Sequence, residues 1–439
     1  MYIKASKDLI EFIKKSPSVF HAVDALKTEL KSEGFEELTE GKKWNIQKGS
    51  NYFVTRNHSS IIAFKVGENL DDYSFNIVAS HCDSPSFKIK DNYKIEASKK
   101  YVQLNTEKYG GMIYSTWFDR PLSVAGRIIA KNGENFETVL VNIDKNLVLI
   151  PNVAIHMNKE INSGMKYNEQ VDLLPLYGIC AEGKDSFMDL VSSCAGVQKE
   201  NIISTDLFLY NRTEPTVWGE KDEFMSSQKL DNLQCAYATL KGFLRGSNTK
   251  SVNVYCCFDN EEVGSGTKQG AASTFLEDVL KRINDNLGKS SEEYLCALAS
   301  SFLISADNAH AVHPNHPELS DPTNRVYMNE GIVIKHNANQ KYTTDAVSSA
   351  LFKEFCKRAD VPYQNYTNRS DVAGGSTLGN IASSKVSINM VDIGLAQLSM
   401  HSSYETAGIK DTLYLIKASE EFFNSHIIEK SSGVLSVTK

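Results

Sequence analysis

Little in this chain suits nucleic acid, a membrane or an oxidising compartment. Its 439 residues carry a formal net charge of −7, with a pI near 5.9. No basic stripe offsets that balance, and phosphate binding calls for a positive footprint, so nucleic acid is not expected as a partner. No apolar run approaches a membrane span, so no membrane association is expected either. The opening Met1-Tyr2-Ile3-Lys4 passes straight into an amphipathic pattern with Leu9, Ile10, Phe12 and Ile13 on one side, without the apolar stretch of a secretory signal. Eight cysteines (82, 180, 194, 235, 256, 257, 296, 356) are scattered with no CxxC pair, mostly in apolar surroundings. They read as reduced core residues of a cytoplasmic protein, not as disulfides or a cysteine-type zinc site. A G-x-S-x-G elbow is missing, which argues against a serine nucleophile. Repeats and low-complexity linkers are missing too.

What is present is enough apolar sequence, 41% of the residues, for substantial cores in two or three domains. Ser16-Pro17-Ser18 opens a second helical run carrying Val19, Phe20, Val23, Leu26 and Leu30, with Gly34 as its stop. Strands are expected at 61–66, 75–80, 251–258, 302–305 and 386–391, and a helix from Leu233 to Phe243. From about 88 to 223 the texture changes to short alternating runs and turns such as Lys131-Asn132-Gly133, a β-rich insertion. The expected fold is therefore α/β, a mixed sheet flanked by helices. Its metal-type residues fall in the parts 1–87 and 224–439, on either side of the insertion. The tail around Ser431-Ser432-Gly433 is expected to fray.

The most informative feature is a pair of adjacent acids, Glu261 and Glu262, just past the apolar run Val252 to Phe258. Neighbouring carboxylates at a strand mouth repel each other and are costly to desolvate unless a cation or a shared proton neutralises them. Other apolar runs end in the same way, with His81 and Asp83, Asp231, Asp307 and His401. Any one of these is most simply a solvated or structural side chain. Two histidines with three carboxylates, however, suit a pair of borderline divalent ions, zinc by default with manganese or cobalt able to replace it. Such a pair needs one bridging carboxylate and a second acid left free to move protons. Gly264-Ser265-Gly266 with Gly270 also evokes a dinucleotide loop, but a pyrophosphate would have to sit beside Asp259, Glu261 and Glu262. The glycines are better read as shaping the turn that presents the glutamates.

Ser80-His81-Cys82-Asp83-Ser84-Pro85, Ser227 to Leu233, Asp259 to Ser265, Ser305 to Ala311 and Gln397 to Ser402 resemble, in order, the motifs of the aspartyl aminopeptidase family. Tyr109-Gly110-Gly111, Thr116 to Arg120, Ile155 to Asn158 and Ile334 to Gln340 extend the likeness over nearly the whole chain. Pro121 departs from it, standing where an acid is expected. The resemblance implies a zinc aminopeptidase-like fold in which residues 88–223 form an inserted dimerisation domain. It implies one metal held by His81, Asp231 and Asp307, and another by Asp231, Glu262 and His401. Asp83 would orient His81, and Glu261 would act as general base on the water between the metals. Lys335 would meet an acidic first side chain of a peptide substrate, though a surface lysine or a contact to substrate backbone fits it equally. His156 would reach the active site of a neighbouring subunit in a homo-oligomer, a dodecamer built from dimers. The expected reaction is release of the N-terminal residue from peptides, with Asp or Glu preferred. A broad or leucine-preferring aminopeptidase, a related carboxypeptidase or deacylase, and a non-catalytic peptide-binding protein are the alternatives.

Overall fold

The computed structural model describes residues 1–180, 186–375 and 377–439. Nine strands form the main sheet in the order Glu36–Leu38, Asn51–Arg56, Ser60–Val66, Val252–Phe258, Phe75–His81, Phe302–Ala306, Asn389–Gly394, Ile332–His336 and Tyr363–Thr367. The four strands from Val252–Phe258 to Asn389–Gly394 run parallel, and both outer flanks add antiparallel ladders. This is the expected mixed α/β sheet.

Alternation along the strands decides which residues face which helices. Val252, Val254, Cys256 and Phe258 pack with the helix Phe275–Asn286, whereas Tyr255 and Cys257 pack with Tyr2–Lys14, Leu230–Arg245 and Asp411–Phe423 on the other face. All seven residues of Val252–Phe258 are buried, as expected for a parallel strand roofed on both sides. Each fully buried large side chain contributes about 1.5–3 kcal/mol relative to exposure, so this strand is a costly place to introduce charge.

A second sheet of six strands lies in the middle of the sequence, in the order Asn135–Asn142, Leu122–Asn132, Ile202–Asn211, Ser86–Ala97, Tyr101–Tyr109 and Leu176–Ile179. Its ladders are antiparallel, and its own core includes Phe87, Trp117, Leu122, Val124, Ile128 and Leu209. A five-stranded sheet joins Thr216–Trp218 and Phe224–Ser227 to Glu405–Gly408, Ala396–Leu398 and Ala309–His310. It thereby ties the residues around position 223 to the segment that carries His401.

Two local expectations need correction. The strand expected at 386–391 runs instead over Asn389–Gly394. Val386 donates its N–H to the Ala382 carbonyl and so still belongs to the turn that ends the helix Leu378–Ala382. The tail forms a hairpin, His426–Ser431 against Val434–Thr438, with Gly433 at φ +76 in its turn. Leu435 and Val437 rest on the main core, which holds a segment that polarity alone marks as frayed. No helix among the described residues is long and apolar enough to cross a membrane.

Candidate metal centre

Strand register brings the metal-type residues to one edge. Phe258 pairs with His81, and Ser305 with Ala79, so His81, the turn after Phe258 and Asp307 emerge together beyond the carboxyl ends of three adjacent parallel strands. The turn is tight: Asn260 sits at φ +61, Glu261–Val263 forms one 3-10 turn, and Gly264 at φ +93 adopts a conformation that a Cβ would strain. Asp231 lies within the first turn of Leu230–Arg245 but has φ −82 and ψ 107, outside helical values. His401 follows the strand Ala396–Leu398 at φ +65.

These segments make a compact donor cluster. His81 Nε2 lies 3.6 Å from Asp231 Oδ1 and 3.6 Å from Asp307 Oδ1. His401 Nε2 lies 3.3 Å from Asp231 Oδ2 and 3.3 Å from Glu262 Oε2. Asp231 thus turns one oxygen toward each histidine. Spacings of this size are the edges of a tetrahedron with bonds of about 2.0–2.2 Å, the lengths zinc adopts with imidazole and carboxylate. Asp231 Oδ1 and Glu262 Oε1 are buried and accept no hydrogen bond from the described residues, so lone pairs are left over for a cation. The residues present therefore fit divalent ions.

Asp83 supports the cluster from behind. Its Oδ1 is 3.3 Å from His81 Nδ1, and its two oxygens accept the N–H groups of Glu261 and Glu262 at 3.2 and 3.1 Å. Tyr109, reaching in from the six-stranded sheet, donates its hydroxyl to the same carboxylate at 2.6 Å. One acid thus fixes a histidine and the backbone of both glutamates. The glutamate side chains then diverge: Glu262 faces His401, while Glu261 lines a cleft of about 530 Å³ together with Asp231, Asp307 and His401.

The sequence profile described as aminopeptidase I zinc metalloprotease (M18) matches residues 12–423. A probable M18 family aminopeptidase 2 of Clostridium novyi is 48% identical, over 96% of this chain and 99% of its own length. The chain belongs to the M18 aminopeptidase family. It is a zinc metallo-aminopeptidase, a hydrolase. It is also 37% identical to an aspartyl aminopeptidase of Caenorhabditis elegans, over 99% of this chain and 97% of that one. The mApe1 dodecamer of S. cerevisiae superposes with a TM-score of 0.84 at 25% identity, covering 96% and 97% of the two chains.

Electrostatics in this M18 centre follow from crowding acids where water is excluded. Burial, and after it the Asp231 charge, pushes the Glu262 carboxyl well above its usual range. Glu261 is pushed up to about 7, first by burial and then by Asp307, Asp83 and Asp231, with His81 opposing. Burial would also raise Asp231, but the facing imidazoles of His401 and His81 outweigh it and hold that carboxyl low. Burial would lower His81, yet Asp231, Asp307 and Asp83 raise it well above the ordinary imidazole value.

Not every expected residue joins the cluster. Lys335 is buried at the cleft, donates to the Asn308 carbonyl at 2.8 Å and lies 3.7 Å from Asp307 Oδ2, so its charge is already shared with a site carboxylate. His156 is exposed on a turn of the six-stranded region and lines no part of the cleft. Around it Val153, Ile155 and Met157 are exposed, and the turn is anchored where the Asp119 carboxylate accepts Asn152 N and Nδ2 at 3.0 and 2.8 Å. Next to Asp119, the Pro121 carbonyl accepts the Arg212 N–H at 2.9 Å. Sequence reading assigned no part to Glu405, although its oxygens accept the N–H groups of His401 and Asp231 at 2.8 and 3.0 Å. Among 54 acids nothing in the residue type set it apart. His310, in the cleft near Lys335 and Asp231, was passed over as part of a motif.

Proposed function

We propose that this enzyme uses two divalent ions, zinc in the first place with manganese or cobalt as substitutes, to release the N-terminal residue of peptides, with acidic first residues preferred. The observation that carries the two-ion reading is Asp231, whose two oxygens face different histidines, as a bridging ligand's would. His81, Asp231 and Asp307 would hold one ion, and Asp231, Glu262 and His401 the other. When bound, such ions polarise the scissile carbonyl and supply the positive charge that makes water deprotonation accessible near neutrality.

The protein's own groups do the rest. Glu261 faces the cleft with no ion pair of its own among the described residues and takes a proton from the attacking water, then delivers one to the departing amine. Its carboxyl pKa near 7 in the bare protein falls when cations arrive, which favours the base form for the first step. Asp83 keeps the His81 ring oriented through Nδ1, the part that carboxylates commonly play behind a metal-bound imidazole. His156 serves the site of a neighbouring copy, polarising the scissile carbonyl. This requires a homo-oligomer, and we read residues 88–223 as the inserted dimerisation domain, with 1–87 and 224–439 forming the metallopeptidase domain. A dodecamer built from dimers, working in the cytoplasm, suits this arrangement, and a related protein of this fold is a dodecamer.

The acidic preference rests on Lys335 at the cleft and on the similarity to aspartyl aminopeptidases. A broader preference is the second reading, favoured by the fact that Asp307 already faces the Lys335 ammonium. Incubating the zinc-loaded protein with peptides of varied first residue tests both. Shortening from the amino end, fastest with Asp or Glu, is expected; shortening from the other end, or binding without cleavage, would remove the reading. Lys335→Met should lower the ratio of kcat/KM for acidic over apolar first residues by at least about tenfold, the worth of a lost charge-assisted hydrogen bond. An unchanged ratio transfers selectivity to other residues of the cleft.

A further inference from the structure

Two of the residues placed around the second ion come from distant parts of the chain, and neither sits on a regular element. Asp231 departs from helical geometry inside the first turn of Leu230–Arg245, and His401 occupies a left-handed turn. Backbones of this kind need an outside partner to fix them. Both find the same one. Glu405, 2% exposed at the start of the strand Glu405–Gly408, accepts the His401 N–H on Oε1 at 2.8 Å and the Asp231 N–H on Oε2 at 3.0 Å.

We infer that Glu405 is a positioning residue of the metal centre: its single carboxylate clamps the backbones of Asp231 and His401 at a fixed separation, so that both side chains converge on the second ion. This rests on the two-ion reading above. The clamp needs two acceptor oxygens about one carboxylate width apart and no cationic side chain drawing the carboxylate away. The surroundings meet that need, since no lysine or arginine pairs with Glu405 among the described residues and its hydrogen bonds are with main-chain N–H groups. A buried acid without a cationic partner is costly. Part of that cost is offset by the main-chain N–H groups whose hydrogen bonds its oxygens accept. Glu405 does not touch substrate or the reacting water in this scheme; it acts through Asp231 and His401.

Glu405→Gln keeps the shape but turns one acceptor into a donor that faces an N–H, so one of the two bonds must break. Metal-free wild type and variant are titrated with zinc against a chromophoric chelator, with thermal unfolding of the metal-free forms measured alongside. Because Asp231 would also bridge to the first ion, the expected result is a second zinc step weakened about 10–100-fold, the range seen when a partner of a metal ligand is removed, and a first step weakened clearly less. Should Glu405→Gln not fold, Glu405→Asp, whose shorter arm cannot span both N–H groups, is expected to give the same selective loss. Two unchanged zinc steps in a folded variant would overturn the clamp. So would equal weakening of both steps with a lowered metal-free unfolding midpoint, which is the signature of a purely structural acid. A wild type that takes up fewer than two ions would overturn the two-ion reading itself and the clamp with it.

Discussion

Along Val252–Phe258 every residue is buried, whereas along Asn135–Asn142 only Val141 is, and Phe136 stands 64% exposed. The contrast extends to their surroundings. The nine-stranded sheet is roofed by helices of its own chain and ends in a cluster of donors that are already mutually arranged. The six-stranded sheet has a bare outer strand and a turn that holds Val153, Ile155 and Met157 out to solvent at 45, 53 and 82% exposure. One region is self-contained; the other has apolar surface of the kind that marks a contact with another molecule. Under the proposed function this is a division of labour, with the metal centre and proton transfer in the part that completes itself, and assembly, with His156 lent across the contact, in the part that does not.

The strongest blow to that division is Glu261→Gln. If Glu261, at the end of the nine-stranded sheet, is the general base, this change should cost about 10²–10⁴ in kcat, the usual worth of such a group, while zinc content stays at the wild-type value. The neighbouring change Glu262→Ala should instead lose zinc first. Near-normal turnover in metal-replete Glu261→Gln would move the proton transfer elsewhere.

Much of this was readable from the chain. Apolar runs followed by His81, Glu261, Glu262 and Asp307 are legible because a parallel strand buried on both faces needs continuous apolar residues, and its end is where polarity resumes. Asp231 and His401 also follow short apolar stretches, but each lies where the backbone leaves regular geometry, so their particular ligand roles came only from the resemblance to known motifs. Glu405 carried no usable signal: its partners are main-chain N–H groups, which no residue type advertises. The shift of the 386–391 strand to Asn389–Gly394 and the ordering of the tail have the same origin. Val386 is apolar because it packs, not because it is extended, and the tail is ordered by Leu435 and Val437 resting on a core far away in sequence.

A second prediction sharpens the self-contained side. In the metal-free protein the raised carboxyls of Glu262 and Glu261 and the raised imidazole of His81 favour bound protons near neutrality. Zinc must displace them, so apparent affinity rises with pH through that range and falls in acid. Each proton released steepens the dependence by about tenfold per pH unit. Calorimetric titrations at pH 7 in buffers of different ionisation heat should therefore give different observed enthalpies. Identical enthalpies would mean that the cluster is already deprotonated without metal.

The last prediction addresses the open side of the comparison and has the smallest signal. If His156 serves a neighbouring copy, His156→Ala and Glu261→Gln proteins are each impaired, yet for different reasons. Dissociating and reassembling the two together should create sites that draw Glu261 from one parent and His156 from the other. Random exchange would restore about one site in four, because each restored site needs the right parent at both positions across a symmetric interface. The recovery must depend on exchange, so mixing without dissociation is the control. Replacing exposed Met157 and Ile155 by Asp should abolish it by weakening the contact, while leaving zinc content unchanged if the nine-stranded part completes itself. Activity that stays at the sum of the two parents after exchange would confine catalysis to one chain and leave His156 as an ordinary turn residue.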